Sequence, residues 1–163
     1  MDYPIISLWQ PWAQWVALGW KQIETRTHSK FKGLVGKRIG IHAALRWDRD
    51  ALALAQPFLT TEQLAATRFP PYGVLGALSD APGKVICTAF VREHRALMLG
   101  DSKAALIECI TPRYGLVLED IQIIPFIPAR GKQGIWYLPR KTPYDLQEPL
   151  WESAILDPGL RNI

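Results

Sequence analysis

Four polar side chains near the start of the sequence have types that could form a binding or catalytic site. They are Gln10, Lys21, Glu24 and Arg26. A lysine in such a group could contact a phosphate or, if desolvated beside other cations, lose its charge and act as a base or nucleophile. A glutamate could transfer a proton or accept a hydrogen bond from the edge of a nucleobase. The alternatives are an ordinary surface lysine and a structural ion pair between Glu24 and Arg26.

The elements predicted around these residues would bring them together. Residues 4–8 form an apolar run typical of a β-strand, and Pro11 suits the first turn of a helix. Apolar residues from Trp12 recur at helical spacing as far as Gly19, which can end the helix in the left-handed conformation. Residues 22–26 then alternate as a strand, which places the glutamate and the arginine on one face. The four polar residues should therefore meet at a helix-to-strand corner.

A second cationic segment lies late in the chain. It contains Arg130, Lys132 and Gln133, interleaved with Gly131 and Gly134. Glycines let a backbone approach a ligand closely, and two long cations beside them suit a phosphate or a polyanion backbone. The alternative is a solvated turn.

Seven tryptophans are many for a chain of 163 residues. Trp12 and Trp15 are expected in the core, because their helical spacing already explains them. Trp9 and Trp20 flank the corner, and either could instead offer a flat face on which a nucleobase stacks.

Length and composition favour a single domain of a soluble protein. The apolar fraction is 48%, and 19 basic against 15 acidic residues give a net charge of +4, which permits a polyanionic partner without requiring one. No apolar run is long enough to span a membrane, and the first residues lack the basic start of a secretory signal. With only two cysteines, a reducing compartment and therefore a cytoplasmic location are expected.

The sequence gives no signal for a metal or a cofactor. His28, His42 and His94 are scattered, and neither Cys87 nor Cys109 lies at a ligand spacing to them. The glycine-rich motifs that bind nucleotide cofactors and the serine motif of the α/β-hydrolases do not occur. We therefore expect no metal and no cofactor.

Strand and turn signals over the rest of the chain predict an α+β domain. Further strands are expected at residues 38–44, 74–78, 85–92, 114–124 and 135–138, and helices at residues 47–56, 61–67 and 101–108. Such a pattern favours a small closed or half-closed β-barrel, with the short helix between the first two strands plugging one end and further helices packed outside. Residues 1–138 would form the domain, and the proline-rich residues 139–163 an extended C-terminal tail packed on it.

Several of these segments together resemble one protein family. In chain order, Gln10-Pro11-Trp12, Gly19-x-Lys21-x-x-Glu24-x-Arg26 and Ile41-His42-Ala43 resemble the activating signal cointegrator homology (ASCH) domain. The later segments, Arg113-Tyr114-Gly115-Leu116 and Gly131-Lys132-Gln133-Gly134-Ile135-Trp136, are similar to those of small bacterial and phage members. The resemblance covers residues 5–136, nearly all of the chain except the tail.

The resemblance implies a PUA-like β-barrel with a cleft at the helix-to-strand corner, and a role in RNA binding, since PUA relatives bind RNA. Some relatives are enzymes that hydrolyse the acetyl group of N4-acetylcytidine or cleave RNA. The acetylcytidine hydrolases carry a lysine, a threonine and a glutamate, and this chain has Glu24 where the threonine is expected. That difference argues against amide hydrolysis.

The leading expectation is a domain that binds RNA or a modified nucleotide in a cationic cleft. Lys21 and Lys132 would contact the phosphate, and Glu24 and Gln10 would read the base or sugar. The expected binding residues are Gln10, Lys21, Glu24, Arg26, Arg130, Lys132 and Gln133. The alternative is a hydrolase acting on RNA or on an N4-acetylcytidine-type nucleoside, with Lys21 as base and Glu24 as its acid/base partner. A protein-interaction module is a third possibility.

Overall fold

The structure, a computed structural model, describes residues 2–67, 78–110 and 112–138. Its strands are β1 (Tyr3–Gln10), β2 (Ile23–Arg26), β3 (Arg38–Trp47), β4 (Lys84–Ala96), β5 (Tyr114–Pro128) and β6 (Ile135–Leu138). Its α-helices are α1 (Trp12–Ala17), α2 (Ala51–Ala55), α3 (Thr61–Thr67) and α4 (Ser102–Ala105). The expected tail at residues 139–163 lies outside the described residues, as does the strand expected at residues 74–78 except for Leu78, which lies in a turn.

The strands form one mixed sheet in the order β2-β5-β4-β3-β1-β6. β1 and β3 are parallel, with Ser7 opposite His42, and every other neighbouring pair is antiparallel. The sheet forms a half-barrel, and α1 contacts four of its strands, β1, β3, β4 and β5. The expected α+β, PUA-like fold is therefore confirmed, in its half-closed form.

Helix α1 is short but deeply buried. Trp15 and Val16 are fully buried, and the Trp15 amide donates to the carbonyl of Pro11 at 3.0 Å, so the helix begins where the sequence predicted. Gly19 has a φ of +73°, the left-handed conformation that ends the helical turn. Each fully buried large apolar side chain stabilises the fold by roughly 1.5–3 kcal/mol, so packing rather than helix propensity holds so short a helix.

Strand β3 extends three residues beyond its predicted end at residue 44. It runs through Trp47, and the helix expected at residues 47–56 therefore begins only at Ala51. The cause is the neighbouring strand: Gln10 in β1 pairs with Trp47, so the sheet continues where local sequence favoured a helix. This extension brings Arg46 and Asp48 to the functional region.

Strand β5 is also longer than predicted. The prolines at 125 and 128 predicted a loop, but β5 continues to Pro128. Because β2 pairs only with residues 114–117, the later part of β5 has β4 as its one described neighbour, and a missing N–H on the open side is tolerated. Helix α4, by contrast, is shorter than the predicted 101–108, since Leu106 adopts a left-handed φ of 55° and ends it.

Candidate functional site

The turn between α1 and β2 carries the Lys21 side chain into the protein interior. Lys21 is only 2% exposed, and its Nζ donates a hydrogen bond to the carbonyl of Ala105 at 2.7 Å. The backbone amide of Lys21 donates to the carbonyl of Trp15 at 3.0 Å, which fixes the turn. Lys21 therefore connects the end of α1 to the end of α4.

Glu24 lies between two cations. Its Oε1 is 3.2 Å from the guanidinium of Arg26, and its Oε2 is 3.7 Å from Nζ of Lys21. The Arg26 guanidinium also lies over the ring of Phe31, with 4.8 Å between its carbon and the ring centroid. The structure thus brings Lys21, Glu24 and Arg26 together at the predicted corner.

Burial changes the chemistry of this lysine. The loss of hydration lowers the pKa of Lys21 below its usual range, and the nearby Glu24 carboxylate opposes that shift less strongly. The amine is consequently easier to deprotonate than an exposed lysine. Because its ammonium group is buried and already donates to the Ala105 carbonyl, Lys21 is a poorer phosphate ligand than an exposed cation would be.

Gln10 occupies a different place from the one expected. The sequence predicted a strand ending at residue 8, but β1 runs through Gln10, so alternation turns Trp9 outward and Gln10 inward. Gln10 is fully buried, lines neither of the two cavities described below, and its side-chain amide has no hydrogen-bond partner among the described residues. Its expected contact with a base or sugar is not supported by this position.

A cavity of about 370 Å³ opens beside the corner, and we call it the inner cavity. Its polar wall includes Lys21, Glu24, Arg26, Asp48 and Arg113. The indole side chains of Trp9 and Trp12 form another part of the wall. The cavity volume lies in the range of sites that hold small ligands.

Asp48 is an acidic residue of this wall that the sequence did not single out. Its Oδ2 accepts a hydrogen bond from Nε1 of Trp12 at 2.7 Å, and its Oδ1 accepts one from the amide of Asp50 at 3.1 Å. Arg113, part of the Arg113-Tyr114 segment quoted above, has a buried Nε without a hydrogen-bond partner among the described residues. Asp48 directly follows β3, so its position depends on the extension of that strand to Trp47, which the local sequence did not indicate.

A larger depression of about 950 Å³ lies next to the inner cavity, and we call it the outer groove. The two share Ser7, Trp9 and Arg26 in their walls. The predicted cationic loop lines the outer groove with Arg130, Lys132 and Gln133, all of them exposed. Lys30 and Arg46 add two further exposed cations that the sequence prediction did not include.

Trp9 stands where the two cavities meet. It is 44% exposed, and the guanidinium carbon of Arg46 lies 3.9 Å from its ring centroid. Trp20, the other stacking candidate, instead packs against the buried cluster around Trp15 and lines neither cavity. Only the first of the two indoles is therefore positioned to meet a ligand.

Comparison with solved structures agrees with this architecture. No protein-family model matches the chain, and no curated protein matches it. Among solved structures, the ASCH protein of Zymomonas mobilis superposes with a TM-score of 0.52 at 16% identity, covering 85% of this chain and 89% of its own. A serine-to-alanine mutant of that protein gives a TM-score of 0.51 with the same identity and coverage. This chain has an ASCH-like fold.

The ASCH-like domain keeps the cationic loop in place through His42. Nε2 of His42 lies 3.0 Å from the carbonyl of Ala129, at the start of the loop, and its ring meets Trp136 edge to face. Burial lowers the pKa of His42, so the neutral ring is favoured and Nε2–H can donate to that carbonyl. A Cβ on Gly131 would overlap the His42 ring and lie 2.9 Å from Ser7 Oγ, which shows how closely the loop lies on the sheet.

The described part of the ASCH-like domain has neither a metal-binding cluster nor a membrane-spanning helix. In residues 2–67, 78–110 and 112–138, no group of three or more histidine, cysteine, aspartate or glutamate side chains could hold a metal ion. No helix in the same ranges has the length and apolar character needed to cross a bilayer.

Proposed function

We propose that this ASCH-like domain binds RNA, or a modified nucleotide derived from it, along the outer groove and the inner cavity. The support comes from the charge and shape of the outer groove rather than from Lys21. The exposed cations of the outer groove would contact phosphates, and Trp9, which lines both cavities, would contact a base. This assignment moves the phosphate contact from Lys21 to the loop and strand cations, while keeping the expected role of Lys132.

The observation that carries the proposal is the sign of the charges around the outer groove. Among the described residues, its wall contains five cations and no acidic side chain: Arg26, Lys30, Arg46, Arg130 and Lys132. All but Arg26 make no ion pair with any described residue. Unpaired cations along one groove release counterions when they neutralise phosphates, which supplies most of the affinity for a nucleic acid.

Trp9 supports a single strand as the ligand. An exposed indole beside a cationic groove gives bases a stacking surface, and base stacking on an aromatic side chain is worth about 1–3 kcal/mol per base. Duplex RNA keeps its bases inside the helix and offers no such face. We therefore expect single-stranded RNA to bind more tightly than a duplex of the same length.

The first prediction concerns Lys132. Lys132→Glu should weaken binding of a fluorescein-labelled single-stranded RNA of about 12 nucleotides by about tenfold or more, because it puts a carboxylate in the path of the phosphates. Fluorescence anisotropy at low salt measures the dissociation constant. The Lys132→Glu substitution should also reduce the dependence of the dissociation constant on salt concentration, since fewer counterions are released.

Lys37→Glu is the matched control, because Lys37 is exposed and lines neither cavity. It makes the same change in net charge and should weaken binding far less. Equal losses in the two variants would mean that net charge alone attracts RNA and that the outer groove is not the site. Absence of binding by the unmodified protein would overturn the proposal itself.

A second candidate function, hydrolysis at the inner cavity, is favoured by one observation. Lys21 has a lowered pKa, lies 3.7 Å from Glu24, and lines the same cavity as that carboxylate. A neutral lysine can act as a base, with the carboxylate as its proton-transfer partner. If the domain is a hydrolase, the unmodified protein should consume labelled RNA or N4-acetylcytidine. Lys21→Met and Glu24→Gln should abolish this consumption, and Lys37→Glu should retain it. Intact substrate after prolonged incubation would leave binding as the function.

A further inference from the structure

We propose that the inner cavity accepts one nucleobase that carries an exocyclic amino group, turned out of a strand lying in the outer groove. The inference rests on the proposed function and goes further, because it assigns a base preference and names Glu24 and Asp48 as the residues that read the base.

The outer groove and the inner cavity are adjacent. Ser7, Trp9 and Arg26 line both, so a strand lying along the outer groove would pass beside the inner cavity. A single strand can turn one base into such a pocket at low cost, since no base pair has to be broken. The exposed ring of Trp9 stands at this junction, where it can stack with the base that precedes or follows the inserted one.

Two carboxylates give the cavity wall hydrogen-bond acceptors for the edge of a base. Glu24 is oriented by Lys21 and Arg26, and Asp48 is oriented by Nε1 of Trp12 at 2.7 Å. An ionised carboxylate accepts hydrogen bonds and donates none, and each oxygen can accept more than one. An exocyclic amino group offers two donors to such acceptors. Uracil instead presents two carbonyl oxygens on either side of its single N–H, and these would face the carboxylates unfavourably.

The same wall also offers hydrogen-bond donors. The guanidinium side chains of Arg26 and Arg113 both line the inner cavity. A guanidinium group has five N–H donors and no acceptor, so these two side chains can meet acceptors of a ligand. Ring nitrogens or carbonyl oxygens next to the amino group of adenine, cytosine or guanine are acceptors of the kind required. Acceptors and donors on one cavity wall thus match an amino-bearing base edge.

The experiment compares three labelled single strands of equal length, oligo(A), oligo(C) and oligo(U), by anisotropy. The unmodified protein should bind oligo(A), oligo(C) or both at least about fivefold more tightly than oligo(U), within the range that one well-formed side-chain–base contact gives. Asp48→Asn and Glu24→Gln should each bring that ratio toward one, because an amide presents a donor where the carboxylate had an acceptor. Asp50→Asn is the matched control, since Asp50 lines neither cavity, and it should keep the full preference.

The variants also separate the base preference from the proposed function. Asparagine at position 48 is isosteric with aspartate and keeps an oxygen for Trp12, and each ratio is measured within one protein, so a change in total affinity does not affect it. Equal binding of the three strands would overturn the inference while the proposed function stood. So would a preference that persisted in both variants, since stacking strength would then explain it. Failure of all three strands to bind would overturn both.

Discussion

Lys21 joins three parts of the chain through one side chain and its backbone amide. Nζ contacts the carbonyl of Ala105 and lies near Glu24, while the amide contacts the carbonyl of Trp15. Burying an ammonium costs hydration energy that its partners only partly return. The residue therefore stabilises the geometry of the corner rather than the fold as a whole, and its proton should be held less tightly in the folded state.

This view of Lys21 predicts a pH dependence of stability. Because its pKa is lowered in the folded state from the usual 10.5, the unfolded chain binds the proton more tightly. The free energy of unfolding of the unmodified protein should therefore rise, relative to that of Lys21→Met, as the pH rises from about 7 toward 10. Each tenfold loss of proton affinity in the folded state corresponds to about 1.4 kcal/mol.

Urea denaturation followed by tryptophan fluorescence at several pH values provides the measurement. Lys37→Met is the matched control substitution, because Lys37 is exposed and lines neither cavity. An equal trend in both subtractions would remove the assignment to Lys21. A difference between the unmodified protein and Lys21→Met that stays constant over this range would show that the Lys21 pKa is not lowered by folding.

At the scale of elements, the connection between β5 and β6 supplies two of the five cations that line the outer groove. It carries Arg130 and Lys132, and it is held on the sheet by the contact between His42 and Ala129. The absence of a side chain on Gly131 lets this segment lie directly against Ser7 and His42, which are neighbours on β1 and β3. The loop cations should therefore be sensitive to small changes underneath them.

Gly131→Ala tests this dependence. Its Cβ would overlap a buried ring that cannot easily move, so the loop must shift, at a cost of about 1–3 kcal/mol in the free energy of unfolding. We expect RNA binding to weaken by about fivefold as the cations move. Gly100→Ala is the matched control, since nothing lies within 4 Å of a Cβ there and its φ is not positive. Unchanged RNA binding in Gly131→Ala would mean that the loop position does not matter to the ligand.

The elements also show which parts of the structure could be predicted from the sequence. The corner from Pro11 to Arg26 was predictable, because a helix start, a helix-ending glycine and an alternating strand are local signals. The pairing of β1 with β3 is not local, and it makes residues 45–47 part of β3. Arg46 and Asp48 reached the groove and the cavity for that reason, and Gln10 turned inward because β1 did not end at residue 8.

At the scale of the whole molecule, charge is distributed unevenly. The net charge is only +4, and away from the groove many cations are neutralised by nearby carboxylates. The pairs are Arg38 with Asp120, Lys84 with Asp80, Arg92 with Glu119, and Arg95 with Asp101. The cations of the outer groove other than Arg26 lack such partners among the described residues, so positive potential is concentrated on one face. A modest net charge can therefore still direct a polyanion to one place.

Photo-crosslinking is the measurement that tests the central claim most directly. A single-stranded RNA of about 12 nucleotides containing 4-thiouridine would be irradiated in complex with the protein, and the crosslinked peptides would be identified by mass spectrometry. Binding in the outer groove predicts crosslinks concentrated at Trp9, at residues 28–31 and at residues 130–134. Crosslinks confined to the paired surface around Arg92 and Arg95, or spread evenly over the protein, would contradict it.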